Sequence, residues 1–483
     1  MHLQSEYLYI LISKVKKKLK LSLPARATVF YTLTGALERG VGFIFTPIYT
    51  RILTPEEYGL YPLYVSWMGI ATVIITLELT GNTVYRGLAQ SGGHEDEFIS
   101  SSLGLLLTGG VISGGIILSL GDKISAITGL NIPIIALLIL QTAINGITGI
   151  YFAKCRYDYK YKSSSIINLA NAVLSPALAL FIIRLSNYRA EARIIAPIIV
   201  GVAICTPIVI TTFARGKRFF DRKIWGGMLK TVIPLLPHFL ATTVTVQSGK
   251  LAIARFFGED ALASYSLVFS FGFIFTVITV GISSGLTPWI NRKLSHGVEA
   301  KVGVLTENLF FLFSILSVMA ITFAPEGLSI LAPPEYLDAL PSLYPIVISV
   351  IISFLTTVFY SVAVYYGKGH LVTLGSVIIS VATVLLHLTL TRSIGYVGAG
   401  LVACLGGLMN MLSYAVILRG VLRKRLFCFK KFLPPLFIAT TFSALLYLLR
   451  GSIIARAFLF FALLIILIPR AVVCYRLIKE KDT

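Results

Sequence analysis

Residues 51–74 read RILTPEEYGLYPLYVSWMGIATVI, and residues 255–278 read RFFGEDALASYSLVFSFGFIFTVI. The two align without a gap. Arg51 matches Arg255, Tyr61 matches Tyr265, Ser66 matches Ser270 and Thr72 matches Thr276; Leu63, Ile70, Val73 and Ile74 recur as Leu267, Ile274, Val277 and Ile278. Glu56 also faces Asp260. Apolar matches count for little in so greasy a chain, so the polar matches in one frame carry the repeat. Each copy joins the end of one long apolar run to the start of the next.

Outward from these segments, the chain divides into fourteen apolar runs: 29–49, 61–79, 99–119, 132–153, 166–184, 194–213, 231–256, 261–290, 308–331, 343–366, 371–390, 397–418, 432–449 and 452–472. A helix of about 20 apolar residues crosses a bilayer, and the runs are numbered here as spans 1 to 14. Most of the 42 Lys and Arg lie in alternate connections, densest at 14–26, 154–162, 215–230, 292–301, 419–431 and in the C-terminal tail. Translocation disfavours Lys and Arg in short loops, so this face is predicted to be cytoplasmic, with both termini on it. The intervening connections are short and near neutral.

Composition points the same way. With 56% hydrophobic and 13% charged residues and a mean hydropathy of +0.85, polar surface is too scarce for a soluble protein of 483 residues. A net charge of +21 raises nucleic acid as a partner. The basic residues sit in short loops between apolar runs, however, so they report topology and contact with anionic lipid headgroups, and no nucleic acid is expected. Five scattered cysteines without a C-x-x-C pair indicate neither a disulfide framework nor a metal site. At the N-terminus the apolar stretch 7–12 precedes the basic run 14–20, the reverse of a signal peptide, and an interfacial helix is expected there.

The reading is therefore an all-α, polytopic membrane protein of about 14 helices. Six spans separate the repeat copies, so both cross in the same direction. That makes a parallel repeat: two six-helix lobes related by an axis along the membrane normal. The expected units are a basic, interfacial segment (1–28), an N-lobe of spans 1–6 (29–215), a C-lobe of spans 7–12 (216–420), and two further spans with a tail (421–483). In such transporters the cargo passes between the lobes.

Charges inside spans are costly, about 2.5–3.5 kcal/mol each on insertion scales, so they face a cavity or a partner. Here they are Glu38 and Arg39 in span 1, Glu78 near the end of span 2, and Lys250 in span 7 with Gln247 nearly one turn away. Arg39 has two readings: a cavity ligand for pyrophosphate or an acidic sugar, since guanidinium suits bidentate phosphate, or an interhelical partner of Glu78 or a backbone carbonyl. Neighbours point about 100° apart, so Glu38 and Arg39 are not expected to face the same way. Lys250 either lines the cavity or snorkels to the interface. Arg51 and Arg255 are candidates for a gate closed through Glu56 and Asp260, or simple interfacial anchors. His238 and His387 either couple to protons or are packed structural histidines. Asn82 and Arg86, after span 2, either line the inner vestibule or lie in a solvated loop, the second being the more common case. Ser248-Gly249-Lys250 lacks the spacing of a Walker A loop, and no ATP site or other cofactor is indicated.

Several segments resemble the oligosaccharide flippases of the multidrug/oligosaccharidyl-lipid/polysaccharide exporter superfamily, among them bacterial O-antigen and capsule repeat-unit flippases. They are LERGVGFIFTPIYTRILTPEEYGLYPLY (37–64), PLLPHFLATTVTVQSGKLAIARFFG (234–258), ASYSLVFSFGFIFTVITVGISSGLTPWI (263–290), PEYLDALPSLYPIV (334–347) and RSIGYVGAGLVACLGGLMNMLSYAVI (392–417). The resemblance covers nearly the whole chain in order and implies translocation of a polyprenyl-pyrophosphate-linked glycan across the cell (inner) membrane. Other membrane proteins of polysaccharide assembly are then candidate partners. The chain departs from the family at Gly249-Lys250, where an Asp-Arg pair is common, so ion coupling is not carried over to span 7. Two other readings are weighed: a cation-coupled multidrug antiporter of the same fold, which uses cavity carboxylates for a cationic drug whereas the candidates here include Arg39 and Lys250, and a polysaccharide polymerase or ligase, which needs a sizeable outer loop.

Overall fold

The computed structural model describes residues 23–80, 82–296, 299–423 and 426–479. The interfacial segment expected at 7–12 and the basic run at 14–20 lie outside them. Among the described residues the chain is helical with no strand. Spans 1 to 6 are the helices Leu23–Ile52, Pro55–Thr76, Glu95–Ser119, Ile132–Tyr157, Tyr161–Leu185 and Ala192–Gly216. Span 7 is the part of Leu236–Phe273 before Gly258, and the rest of it with Phe275–Ser295 forms span 8; spans 9 to 14 are Glu299–Ile321, Leu343–Tyr365, Gly369–Leu386, Tyr396–Val416, Leu433–Leu448 and Ile453–Lys479. Eleven helical stretches among the described residues are long and apolar enough to cross a membrane.

Two expectations needed correction. Span 9 stops at Ile321, and residues expected to complete it form a separate helix, Ala324–Leu331, after a break at 322–323. Pro325 supplies the reason: it fits the first turn of a new helix but not the interior of a continuing one. The loops at 80–98 and 214–230 are not plain connections either. Each contains a short amphipathic helix, Asn82–Gln90 and Arg222–Val232. The second is capped by Asp221, whose carboxylate accepts from the amides of Lys223 and Ile224. Its apolar side buries Met228, and its Trp225 Nε1 donates to the Ser101 carbonyl at 2.9 Å. The connection between the lobes is thereby tied to span 3.

Both repeat copies lie at the charge-poor face, but they turn by different means. Span 2 opens with a capping box: Thr54 accepts from the Glu57 amide at 3.2 Å, and the Glu57 carboxylate accepts from the Thr54 amide at 2.9 Å. Between spans 7 and 8 the chain reverses at Gly258, whose φ of 93° suits glycine. Span 2 lies along spans 7 and 8, and this is the most extensive contact between the lobes. The contact is close because Gly59 carries no side chain: a methyl there would fall 1.9 Å from the Glu259 carbonyl oxygen.

Three more bonds tie the lobes at the same face. Thr50 Oγ1 donates to the Leu331 carbonyl (2.8 Å), Arg51 Nη2 to that of Ile330 (3.2 Å), and the buried Tyr336 hydroxyl to that of Leu53 (2.9 Å). Span 1 packs along span 5 and, at this end, on Ala324–Leu331. Towards the charge-rich face it loosens, and methyl groups at Gly35, Gly40 and Gly42 would meet nothing within 4 Å. The lobes are therefore joined at the charge-poor face along spans 2, 7 and 8.

Candidate functional site

A cavity of about 730 Å³ lies between the lobes. From the N-lobe, span 1 contributes Glu38, Arg39, Gly42, Thr46 and Tyr49, span 2 Tyr58 and Tyr61, span 4 Gln141, span 5 Asn171 and Ser175, and span 6 Arg193. Span 7 adds Gln247 and Lys250, and span 8 adds Phe269, Ser270 and Phe273. The periodicity explains the lining. Residues 39, 42, 46 and 49 recur at three- and four-residue intervals on one helical face, as do 247 and 250, and 269 and 273.

Arg39 and Lys250 thus reach one cavity from opposite lobes. Among the described residues neither forms a salt bridge with a carboxylate; the Lys250 ammonium sits 4.7 Å from the centroid of the Phe269 ring. Phe269 in turn stacks on Phe273, with centroids 4.9 Å apart. Gln247 rests against Gly69 of span 2, and its buried Oε1 has no hydrogen-bond partner. Gln141 Oε1 accepts from the Tyr64 hydroxyl at 2.8 Å, which leaves its amide nitrogen for the cavity. Asn171 Oδ1 accepts from Ser175 Oγ at 2.8 Å. The walls therefore offer amide and aromatic groups with three cations, Arg39, Lys250 and Arg193, against one carboxylate, Glu38.

Glu38 lines the same cavity as Arg39, contrary to the expectation from their 100° separation. Span 1 is packed on one side only, so the cavity wraps round more of its surface than a single side chain covers. The Glu78 reading places it elsewhere: it ends span 2 in a left-handed conformation (φ 51°), away from the cavity lining, and no ion pair joins it to Arg39 among the described residues. His238 also lies outside the lining; its Nδ1 is 2.7 Å from Ser376 Oγ and its ring is parallel to that of Tyr360. His387 is buried, with Nδ1 2.7 Å from Thr391 Oγ1.

The four gate candidates cluster at the charge-poor face without pairing. Arg51 bonds to backbone carbonyls of Pro47 and Ile330. Arg255 and Asp260 are exposed near the Gly258 turn, and Glu56 is exposed at the start of span 2. No ion pair joins these four among the described residues; it is Glu57 that meets an arginine, Arg189, at 3.5 Å.

Sequence reasoning missed Arg193, which it left among the cations of the charge-poor face. The guanidinium lies 4.7, 4.2 and 4.4 Å from the ring centroids of Tyr49, Tyr58 and Tyr61. Rings from spans 1 and 2 thus enclose a cation from span 6, an arrangement no local pattern announces. A second hollow of about 640 Å³ opens at the charge-rich face, lined by Arg86, His94, Arg218 and Lys223 among others. There Arg218 is paired with Glu97 at 3.2 Å and Asp221 at 2.8 Å.

Comparison with known proteins places this architecture. Residues 25–294, just over half of the chain, match the family described as "Polysaccharide biosynthesis protein". The probable multidrug resistance protein YoeA of Bacillus subtilis (strain 168) is 29% identical over 116 residues, covering 23% of this chain and 25% of that protein. The chain thus aligns with about a quarter of that relative's length. Among solved structures, the lipid II flippase MurJ in an inward closed conformation superposes with a TM-score of 0.71 at 12% identity, covering 93% of this chain and 99% of that one. An inward-facing multidrug resistance MATE transporter of the MOP superfamily gives 0.62 at 14% identity, covering 80% and 96%. A MOP superfamily transporter from Pyrococcus furiosus, described as having a binding pocket of reverse polarity, gives 0.58 at 15%, covering 83% and 96%.

Proposed function

The chain belongs to the polysaccharide biosynthesis protein family and has the fold of MOP-superfamily transporters; on that premise we propose that it is a flippase for a polyprenyl-pyrophosphate-linked oligosaccharide. The cargo moves from the cytoplasmic to the outer leaflet of the cell membrane, for assembly of a surface polysaccharide such as O-antigen or capsule. The observation that carries the reading is the convergence of Arg39 and Lys250, from opposite lobes and without carboxylate partners, on one amide- and aromatic-lined cavity.

A pyrophosphate and its sugars do not cross about 30 Å of hydrocarbon unaided, because each lost hydrogen bond and each buried charge is costly. In this scheme Arg39 binds the pyrophosphate through its planar donors and Lys250 adds a second positive charge. Sugar hydroxyls meet Gln247, Gln141 and Asn171. The polyprenyl tail stays in lipid beside span 1, where that helix is least packed. Opening of the lobe contact at the charge-poor face, as the charge-rich face closes, then exposes the head to each side in turn. No bond in the cargo is made or broken, so the protein acts as a transporter and not as an enzyme. The basic face and both termini are cytoplasmic in this reading.

A cation-coupled drug antiporter is the second reading, favoured by the YoeA match and the MATE fold. The cavity argues for an anionic cargo, since its cations outnumber its carboxylate three to one. The test is export in cells expressing the Arg39→Ala protein at native levels. Loss of surface polysaccharide with normal membrane insertion is expected; normal export removes the ligand role of Arg39.

A further inference from the structure

Resting on that flippase reading, we infer that Arg193 selects a cargo whose glycan bears an anionic sugar remote from the pyrophosphate. The argument begins with partners. Two other arginines near the charge-poor face already have carboxylates: Arg189 meets Glu57 at 3.5 Å, and Arg456 bonds to Glu326. Arg193 has none among the described residues. The bond found for it there is from Nη1 to the Tyr58 carbonyl at 3.4 Å, long for a charged donor.

The guanidinium carbon lies over three tyrosine rings, which hold it in place. A guanidinium has five N–H donors in a planar fork, so most of its edge remains unmet by protein. Tyr49 is itself fixed, its hydroxyl donating to the Pro176 carbonyl at 2.7 Å. The cage therefore presents an oriented, unpaired fork at a cavity wall, which is the geometry that recognises a carboxylate.

Depth supplies the second part. Arg39 and Tyr49 are ten residues apart on one helical face of span 1, about 15 Å along the axis at 1.5 Å per residue. Arg193 sits at the Tyr49 end. A pyrophosphate on Arg39 and an anion on Arg193 are thus separated by the length of a short oligosaccharide. Gln141, Asn171 and Gln247 line the same cavity, and amide groups both donate to and accept from sugar hydroxyls.

The experiment uses full-length protein in nanodiscs and two probes: a polyprenyl-pyrophosphate carrying a neutral trisaccharide, and the same lipid with glucuronic acid as its terminal sugar. Wild-type protein is expected to bind the acidic probe at least about tenfold more tightly, the scale of one charge-assisted bond. Arg193→Gln brings the two affinities within about twofold of each other, whereas Arg193→Lys, which keeps the charge but loses the fork, retains an intermediate preference. Melting temperatures establish that each variant is folded. Equal binding of the two probes by wild-type protein, or an undiminished preference in Arg193→Gln, overturns the assignment while leaving the flippase reading in place. Failure of both probes to bind above a phosphatidylglycerol control overturns both.

Discussion

The two lobes are built from a repeat, yet they have been put to different uses. In the C-lobe, span 10 is the most enclosed helix, with 67% of its apolar window buried; span 4, its counterpart six spans earlier, has 50%. The difference comes from spans 13 and 14, which cover spans 9 and 10 and have no equivalent in the N-lobe. Span 14 is fastened by Arg456, a buried guanidinium that bonds to the Thr322 carbonyl (2.7 Å) and to Glu326. The N-lobe instead supplies most of the polar cavity lining: Arg39, Gln141, Asn171 and Arg193 against Gln247 and Lys250. One lobe is braced, and the other supplies most of the polar groups named in the cavity wall. Under the proposed flippase function, a stiff C-lobe gives the N-lobe a body to move against as their contact opens and closes.

Substitutions that treat the lobes as equivalent should expose the difference. The largest effect is expected at the cavity. Arg39→Ala lowers flipping of a pyrophosphate-linked glycan in proteoliposomes by about a hundredfold, and Lys250→Ala by about tenfold, the range for removing a desolvated charge partner. Equal losses would place the binding centre midway between the lobes and not on the N-lobe.

Next comes the contact between them. Gly59→Val places a branched side chain where even a methyl would meet the Glu259 carbonyl. The closed charge-poor face cannot then form as seen here, and the distance between spin labels on residues 56 and 260 should lengthen, with transport falling about tenfold. An unchanged distance distribution would show that this contact is not the one that opens.

Bracing is tested by Arg456→Met. Removing the guanidinium leaves Glu326 without its partner and costs about 2 kcal/mol, less than for a fully buried pair because the Glu326 side chain is 42% exposed. The expected readout is a melting temperature several degrees lower, with cargo affinity unaltered. A drop in affinity instead would mean that spans 13 and 14 shape the cavity.

The smallest effect concerns the connection between the lobes. Backbone amides, that of Ile224 foremost, hold the Asp221 carboxyl below its ordinary range of 3.8. A depressed carboxyl contributes its cap above the unfolded value and loses it as pH falls through the folded one. The protection of amides 223–226 against hydrogen exchange, taken relative to the intrinsic rate at each pH, should therefore be high at neutral pH and fall below about pH 3.8; in Asp221→Ala it should be low at both. Identical rates in the variant would show that the Trp225 and Met228 contacts alone hold this helix.

Much of the architecture was legible without coordinates, because a bilayer leaves the chain few options. Apolar runs of the right length have to become helices, alternating charge has to follow the faces, and polar matches in one frame reveal a repeat. That logic also picked out Arg39, Gln247 and Lys250, since a charge or amide within a span needs somewhere polar to go. It failed where side chains from distant segments had to meet. Arg193 looked like a loop cation until spans 1 and 2 brought three tyrosines around it. Glu78 and His238 looked available until packing set them outside the lining.

By itself, then, the order of residues determined which segments form apolar helices of membrane-crossing length and which charges those helices carry, both of which follow from local hydrophobicity and the desolvation cost of ions. Only the tertiary structure decided which buried charges share a cavity, which have partners already, and where two backbones touch closely enough to require glycine. Those outcomes depend on helix rotation and lobe contact, quantities summed over the whole packed bundle and not encoded in any one stretch.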